Sequence, residues 1–332
     1  MVVIQSIPPA EYCGNCPDYI LDSDVSLEFE VRRGKQTLLQ ELYSPDAANT
    51  IRVRDLGRLC GLALWGDLQG GWQTHHADRF DFYVDGTLLS SSILYYSRHN
   101  SFRDPRDGGL LSSVNAKVTA KGWTEYTTGL LPSDSKGPFY TLRAYKEYLP
   151  VAEQQVYVPA MPTDYEIPYT VETSVASVQR ELQVDDFDTY EVDFGNNNLM
   201  RYQLLKRIPH QVHRLRFRND FDLPETLIAT GGLSLEVKNQ DESAVMAGRE
   251  QRVSVSVQDE WTIHSGPFYH RSDIRLWREL IHSTQIQLLA GGNWIDIYPV
   301  KHKMEQSEQT NQVDAVTLTF RVADSSQSYL IV

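Results

Sequence analysis

Short stretches in which apolar and polar residues alternate one for one, separated by Gly, Asn, Asp and Pro clusters, recur along the whole of this sequence. A period of two puts every second side chain on one face, which a half-buried strand satisfies and a helix does not. Val25, Leu27, Phe29 and Val31 oppose Ser26, Glu28 and Glu30, with a turn at Arg33-Gly34-Lys35. Phe80, Phe82 and Val84 lead into Asp85-Gly86, a hairpin dipeptide, and the partner strand continues from Leu88 to Tyr96. Val114, Ala116, Val118 and Ala120 line another predicted face, and Tyr140–Tyr145 a further strand. Weaker alternation marks 169–178, 188–194 and 212–218.

The last hundred residues are the most regular. Leu233, Leu235 and Val237 alternate with Ser234, Glu236 and Lys238; Val253, Val255 and Val257 alternate with serines; Gly291-Gly292 sits between two short apolar runs; Val316, Leu318, Phe320 and Val322 share one face. One segment changes period. Ser272–Ile281 places Ile274, Trp277 and Ile281 at helical spacing behind an N-cap serine, with an acid in the first turn. The expected fold is therefore mainly β, with two to three β-sandwich or β-barrel-like modules and one short C-terminal helix.

Pro150, Pro159, Pro162 and Pro168 are poor residues for central strands and predict a linker. The expected organisation is an N-terminal arm (1–20), a β-sandwich module (21–150), a Pro-rich linker (151–168), a β module (169–232), a β module with the helix (233–324) and a C-terminal arm (325–332). At 332 residues the chain exceeds what one core comfortably holds.

Charge and cysteine content narrow the partners. A net charge of −13 predicts repulsion from phosphate backbones and anionic lipid, hence no nucleic acid. No apolar run approaches the roughly 20 residues that span a bilayer, and Met1–Pro9 lacks the basic and apolar parts of a secretion signal. Three cysteines in so long a chain predict no disulfide framework and synthesis in a reducing cytoplasm.

Motifs for catalysis are missing: there is no GxSxG, Walker loop, HExxH or dinucleotide fingerprint after a strand. The expectation is a protein that is not an enzyme, with no catalytic residues and no cofactor. Cys13 and Cys16 have the spacing of half a zinc site, and are the weak metal candidates. His75-His76-Ala77-Asp78 with Asp81 carries ligand atoms, yet neighbouring side chains on a strand diverge. His210 and His213 lack helical spacing. Asp185-Asp186-Phe187-Asp188 reads as a solvated acidic turn beside a calcium or glycosidase reading. Trp65, Trp72, Trp123 and Tyr126 lie near glycine-rich turns, where aromatics form sugar platforms or core. The apolar tip Tyr329-Leu330-Ile331-Val332 after Ser325-Ser326-Gln327-Ser328 is either a last strand of its own sheet or an edge given to a neighbour, and is the candidate interface.

The segment Arg214-Leu215-Arg216-Phe217-Arg218-Asn219-Asp220-Phe221-Asp222-Leu223-Pro224-Glu225-Thr226, running on through Leu227-Ile228-Ala229-Thr230-Gly231, resembles one in uncharacterised tail and baseplate proteins of phages and prophages. Trp277, Leu280, Ile281 and Ser283, then Ile286, Leu288, Trp294–Ile297 and Val316–Ala323, are similar in order to the C-terminal part of such proteins. The resemblance implies a virion component, distal-tail-like, assembled in the bacterial host cytoplasm. It implies rings of its own copies docked to tube, hub or receptor-binding proteins, and carries no catalytic residues. Two other readings stay open: a carbohydrate-binding or adhesion β-sandwich, and a β-rich glycoside hydrolase.

Overall fold

The computed structural model describes residues 1–98, 109–132, 137–196, 198–246, 249–268, 270, 272–305, 315–324, 327 and 330–331. The chain is mainly β, with five sheets and three helices among the described residues and no closed barrel. It divides into two compact units. The first is Met1–Leu205 with Asp220–Leu223, and the second is Lys206–Asn219 with Pro224–Val332.

In the first unit, the strand Leu27–Arg33 pairs with Gln36–Tyr43 through the predicted Gly34-Lys35 turn, and with Ala77–Val84, which meets Thr87–Tyr95 across Asp85-Gly86. Gly86 has φ +75 and Asp85 φ +46, the left-handed pair that a tight hairpin needs. Ala10–Tyr12 completes this five-stranded sheet, parallel to Thr87–Tyr95. A three-stranded sheet of Val2–Gln5, Tyr19–Asp22 and Thr50–Val53 supplies Tyr19, Leu21, Ile51 and Val53 to the same core as Phe29, Val31, Phe80 and Phe82. Helix α1, Leu56–Leu64, adds Leu56, Cys60 and Leu64 to that core.

Residues 1–20 contain strands of two different sheets. Val2–Gln5 pairs with Tyr19–Asp22 in the three-stranded sheet and Ala10–Tyr12 with Thr87–Tyr95 in the five-stranded one, while Ile7 and Tyr12 bury their side chains.

A second pair of sheets follows in the same unit. Four strands, Gly109–Leu110, Tyr126–Leu130, Pro168–Glu172 and Gly71–Trp72, form one sheet. Five strands form the other, in the order Ala116–Thr119, Leu199–Leu204, Thr189–Asp193, Phe139–Lys146 and Leu149–Tyr157. Between them lies a hydroxyl cluster. Thr127 Oγ1 is 2.6 Å from Tyr202 Oη and 3.0 Å from Thr173 Oγ1, while the Tyr190 and Tyr202 rings stack 4.8 Å apart. Helix α2, Val175–Leu182, packs against the last two strands and is capped by Ser174, whose Oγ accepts the Ser177 N–H.

Three expectations change here. Leu149–Tyr157, assigned above largely to a linker, is a strand paired along its length with Phe139–Lys146. Pro150 is tolerated because the strand lies at a sheet edge, where a missing N–H costs little. Irregular chain occupies only 158–167. The face of Ala116–Thr119 is reversed: Lys117 and Thr119 are buried and Val118 is half-exposed. Parallel pairing puts Lys117 beside Tyr202, and so on the inward side. Helices α1 and α2 lie outside the single predicted helix.

The second unit is one seven-stranded antiparallel sheet, ordered Pro224–Ala229, His213–Arg218, Ile286–Ala290, Asn293–Glu305, Ala315–Val322, Arg249–His264 and Leu233–Met246. Val316, Leu318, Phe320 and Val322 are buried as their alternation predicts. The Gly291-Gly292 turn joins Ile286–Ala290 to Asn293–Glu305. Helix α3, Asp273–His282, follows Ser272 as expected, but its buried face is Leu276, Trp277 and Leu280, with Ile274 and Ile281 half-buried. The Ser272 side chain makes no cap hydrogen bond, and Asp273 in the first turn accepts the N–H of His270, which precedes the helix, at 3.1 Å.

Candidate functional site

The longest elements of the molecule are the two strands Leu233–Met246 and Arg249–His264. They pair with each other along their whole length, from Leu233 opposite Ile263 to Met246 opposite Arg249. Among the described residues, only Trp261–His264 also pair with a third strand, meeting Phe320–Thr317. Beyond Glu260 the hairpin is a two-stranded ribbon, about 35 Å long at roughly 3.3 Å per residue. A bulge between Glu242 and Ser243 shifts its register partway along.

A charged brace marks the root of the ribbon. Glu260 is 2% exposed and lies directly opposite Glu236 in the ladder. Like charges in that position repel, and the sheet supplies the remedy: Lys238 pairs with Glu260, and Arg321 donates to its Oε1 from Nη2 at 2.5 Å and from Nε at 3.2 Å. Hydrogen bonds from Lys238 and Arg321 hold the Glu260 carboxyl down to about 2. The base of the ribbon is thereby tied to Ala315–Val322. Leu235 and Val237, in the first part of the ribbon strand, are 42% and 50% exposed.

The apolar tip predicted as an interface is described only at Leu330 and Ile331, both half-buried; Tyr329 and Val332 lie outside the described residues. Leu330 lies within van der Waals reach of where a side chain at Gly291 would begin.

The structure brings a third thiol to Cys13 and Cys16. Cys13–Asn15 form a single 3-10 turn, in which the Cys16 N–H returns to the Cys13 carbonyl oxygen at 3.3 Å and Ser97 Oγ accepts the Gly14 N–H at 2.8 Å. Helix α1 presents Gly57 and Gly61 to this turn and buries Cys60 beside it. A Cβ on Gly57 would overlap the Cys13 carbonyl oxygen, so the close approach requires glycine there. Burial raises all three thiols, Cys16 to about 12, with the neighbouring thiol groups adding to the effect at Cys13 and Cys60. Thiols so raised stay protonated at neutral pH and are poor nucleophiles and poor ready-made ligands. Sequence reasoning missed Cys60. Its signal was the Gly57-Gly61 spacing, which lets one helix face lie flush on a turn.

Among the described residues no group of three or more His, Cys, Asp or Glu is arranged to hold a metal ion. His75 and His76 sit in a turn rather than a strand, so their rings do not diverge but lie 4.5 Å apart. Asp78 is committed elsewhere: Arg33 Nε donates to it at 2.5 Å and Tyr165 Oη at 2.8 Å. Asp81 accepts from Ser91. His210 is exposed, and His213 is half-buried with its pKa lowered by burial.

In the acidic segment, Asp185 and Asp186 are exposed, Phe187 is core, Asp186 pairs with Lys146, and Asp188 accepts the Glu147 N–H at 2.9 Å. Of the aromatics, Trp123 is buried and Trp72 meets Tyr169 edge-on, 4.8 Å between centroids, while Trp65 and Tyr126 are exposed.

No family model and no curated protein matches this sequence. Among solved structures, the chain is similar to one in the virion of a native gene transfer agent particle, with a TM-score of 0.24 and 10% identity over 33% of this chain and 91% of that one. It is also similar to a D1-D4 ectodomain fragment of ICAM-5, with a TM-score of 0.18 and 8% identity over 96% of this chain and 90% of the other. Likeness at these scores carries no argument about fold or role.

Proposed function

We propose that the chain is a non-enzymatic structural subunit of a virion, of the phage tail or baseplate. It assembles into a ring with its own copies and docks neighbouring tail proteins such as the tube, hub or receptor-binding proteins. The observation that carries this reading is the ribbon beyond Glu260. An isolated two-stranded hairpin is marginal in water. Unpaired strand edges are moreover a liability that single chains usually blunt. A ribbon of this length, braced at its root by Lys238, Glu260 and Arg321, is supported by a neighbouring chain that adds backbone hydrogen bonds along it. Head-to-tail contacts of that kind close into rings. The resemblance of the 214–231 and 277–323 segments to tail proteins points the same way, and the apolar residues Leu330 and Ile331 offer a second, smaller contact.

The test is sedimentation velocity on the full chain and on a variant in which residues 239–257 are replaced by a two-residue Asn-Gly turn. The expected result is concentration-dependent oligomers for the full chain and a folded monomer for the shortened one, with matching circular dichroism after allowance for the lost strands. A full chain that stays monomeric at every concentration, or a shortened chain that still forms the same oligomers, overturns the reading.

A further inference from the structure

The strand Leu149–Tyr157 ends its five-stranded sheet, and none of its nine residues is buried. No strand among the described residues pairs with its outer side. The chain enters it through a two-residue turn, Glu147-Tyr148, with φ +49 and +68. Such turns favour Asn-Gly, and bulky residues at positive φ are strained. Tyr148 is nonetheless 98% exposed, and Leu149 and Tyr157 follow at 68% and 66%. A large ring held in water on strained backbone gains nothing from its own chain, so strain of this kind points to use elsewhere.

The surrounding charge selects the occupant. Arg143 donates to Glu153 at 3.1 Å and to Asp193 at 2.8 Å; Lys146 pairs with Asp186; Glu147, Asp185 and Asp188 lie in the same turn and loop. From helix α2, packed on this strand, Arg180 and Glu181 offset each other at 3.8 Å. Around the edge and its turn, five carboxylates, Glu147, Glu153, Asp185, Asp186 and Asp188, thus accompany the two cations Arg143 and Lys146. A second copy of the same edge is a poor fit, because antiparallel pairing of the strand about its midpoint sets Glu153 against Glu153.

We propose that this edge receives an extended segment of a different protein, with alternating basic and apolar residues, which adds to the sheet as a further antiparallel or parallel strand. Backbone hydrogen bonds supply the affinity, Leu149 on the face it shares with Ala152 grips the apolar side chains, and Glu153 on the opposite face, beside Tyr157, selects the basic ones. The ribbon plays no part in this contact.

The probe is a labelled, end-blocked nonapeptide of alternating Lys and Val, titrated into the full chain and followed by fluorescence anisotropy. Two control peptides accompany it, one alternating Glu and Val and one alternating Lys and Val with N-methyl groups distributed over both edges, so that neither edge can pair. The Lys-Val peptide is expected to bind about tenfold more tightly than either control, since only it offers both the charge and the free backbone edge. Tyr148→Ser with Leu149→Ser, checked for native circular dichroism, should weaken it about fivefold or more by removing the apolar grip. The ribbon-shortened chain should bind it unchanged, which separates this contact from self-assembly. Absence of Lys-Val binding overturns the proposal, as does equal binding of the N-methylated peptide, which would mean charge attraction alone, or unchanged binding by the double variant.

Discussion

Gly57 decides how closely helix α1 can lie on the Cys13–Asn15 turn. A methyl group there would overlap the Cys13 carbonyl, whereas one at Gly61 would meet Cys13 Cβ at 3.6 Å, an ordinary contact. Gly57→Ala should therefore destabilise the chain by about 1–3 kcal/mol as overpacking does. Gly61→Ala should be neutral or stabilising by up to about 1 kcal/mol through helix propensity. Urea titrations of both variants measure the contrast, and equal effects would mean the helix is free to shift. Glu260 governs a second residue-scale property. Its carboxyl is held at about 2 in the fold, below the usual value of 4.5, so the unfolded chain takes up its proton first as pH drops. Its stabilisation is complete above about 4.5 and is lost as pH falls toward about 2. Comparing urea midpoints at neutral pH and near pH 3, Glu260→Gln should show a smaller acid loss than the parent chain. An identical acid loss would remove Glu260 from the account.

At the scale of elements, the ribbon and the sheet it leaves have different support. Trp261–Ile263 are paired on both sides, with Leu233–Leu235 and with Leu318–Phe320, whereas among the described residues the ribbon strands beyond Glu260 hold only each other. Amide exchange follows local opening, which is easiest where few buried contacts resist it. In the unassembled chain, amides of 238–246 and 249–258 should exchange at least about tenfold faster than those of Trp261 and Ile263, and the gap should close on assembly. Uniform protection throughout the hairpin of the monomer would contradict this. Elements also show where sequence patterns were readable. Val316–Val322 and Ile286–Ile297 were legible because long alternation and a Gly-Gly turn leave one register that buries the apolar set. Helix α1 was not, since Gly57 and Gly61 lower its propensity and its use of them depends on a turn over forty residues away in the chain. Helix α2 spans Val175–Leu182, too short for a 3.6-residue period to separate from a strand.

For the whole molecule, the charge of −13 bears on assembly. Copies with that charge repel, and salt screens the repulsion over roughly 10 Å at 0.1 M. Self-association of the full chain should strengthen as salt rises from low to physiological levels, and a weakening in sedimentation equilibrium would place ion pairs, not ladder bonds and apolar contacts, at the interface. The division into units follows the contacts and not the prolines. Residues 149–157 stay within the first unit as an edge strand, and Asp220–Leu223 join it because Phe221 and Leu223 share a core with Tyr12, Tyr95 and Leu130. By itself the sequence determined that this chain is built of strands, where many of them turn, and which faces of the C-terminal strands are buried. Those properties follow from local periodicity and from the φ preferences of Gly and Asp. The tertiary structure alone decided which strands are neighbours, that Cys60 joins Cys13 and Cys16, that Glu260 braces a ribbon, and that Leu149–Tyr157 is left as an open edge. Each of these depends on pairing between residues distant in the chain, and a period of two looks the same whether a strand lies in the middle of a sheet, at its border or beyond it.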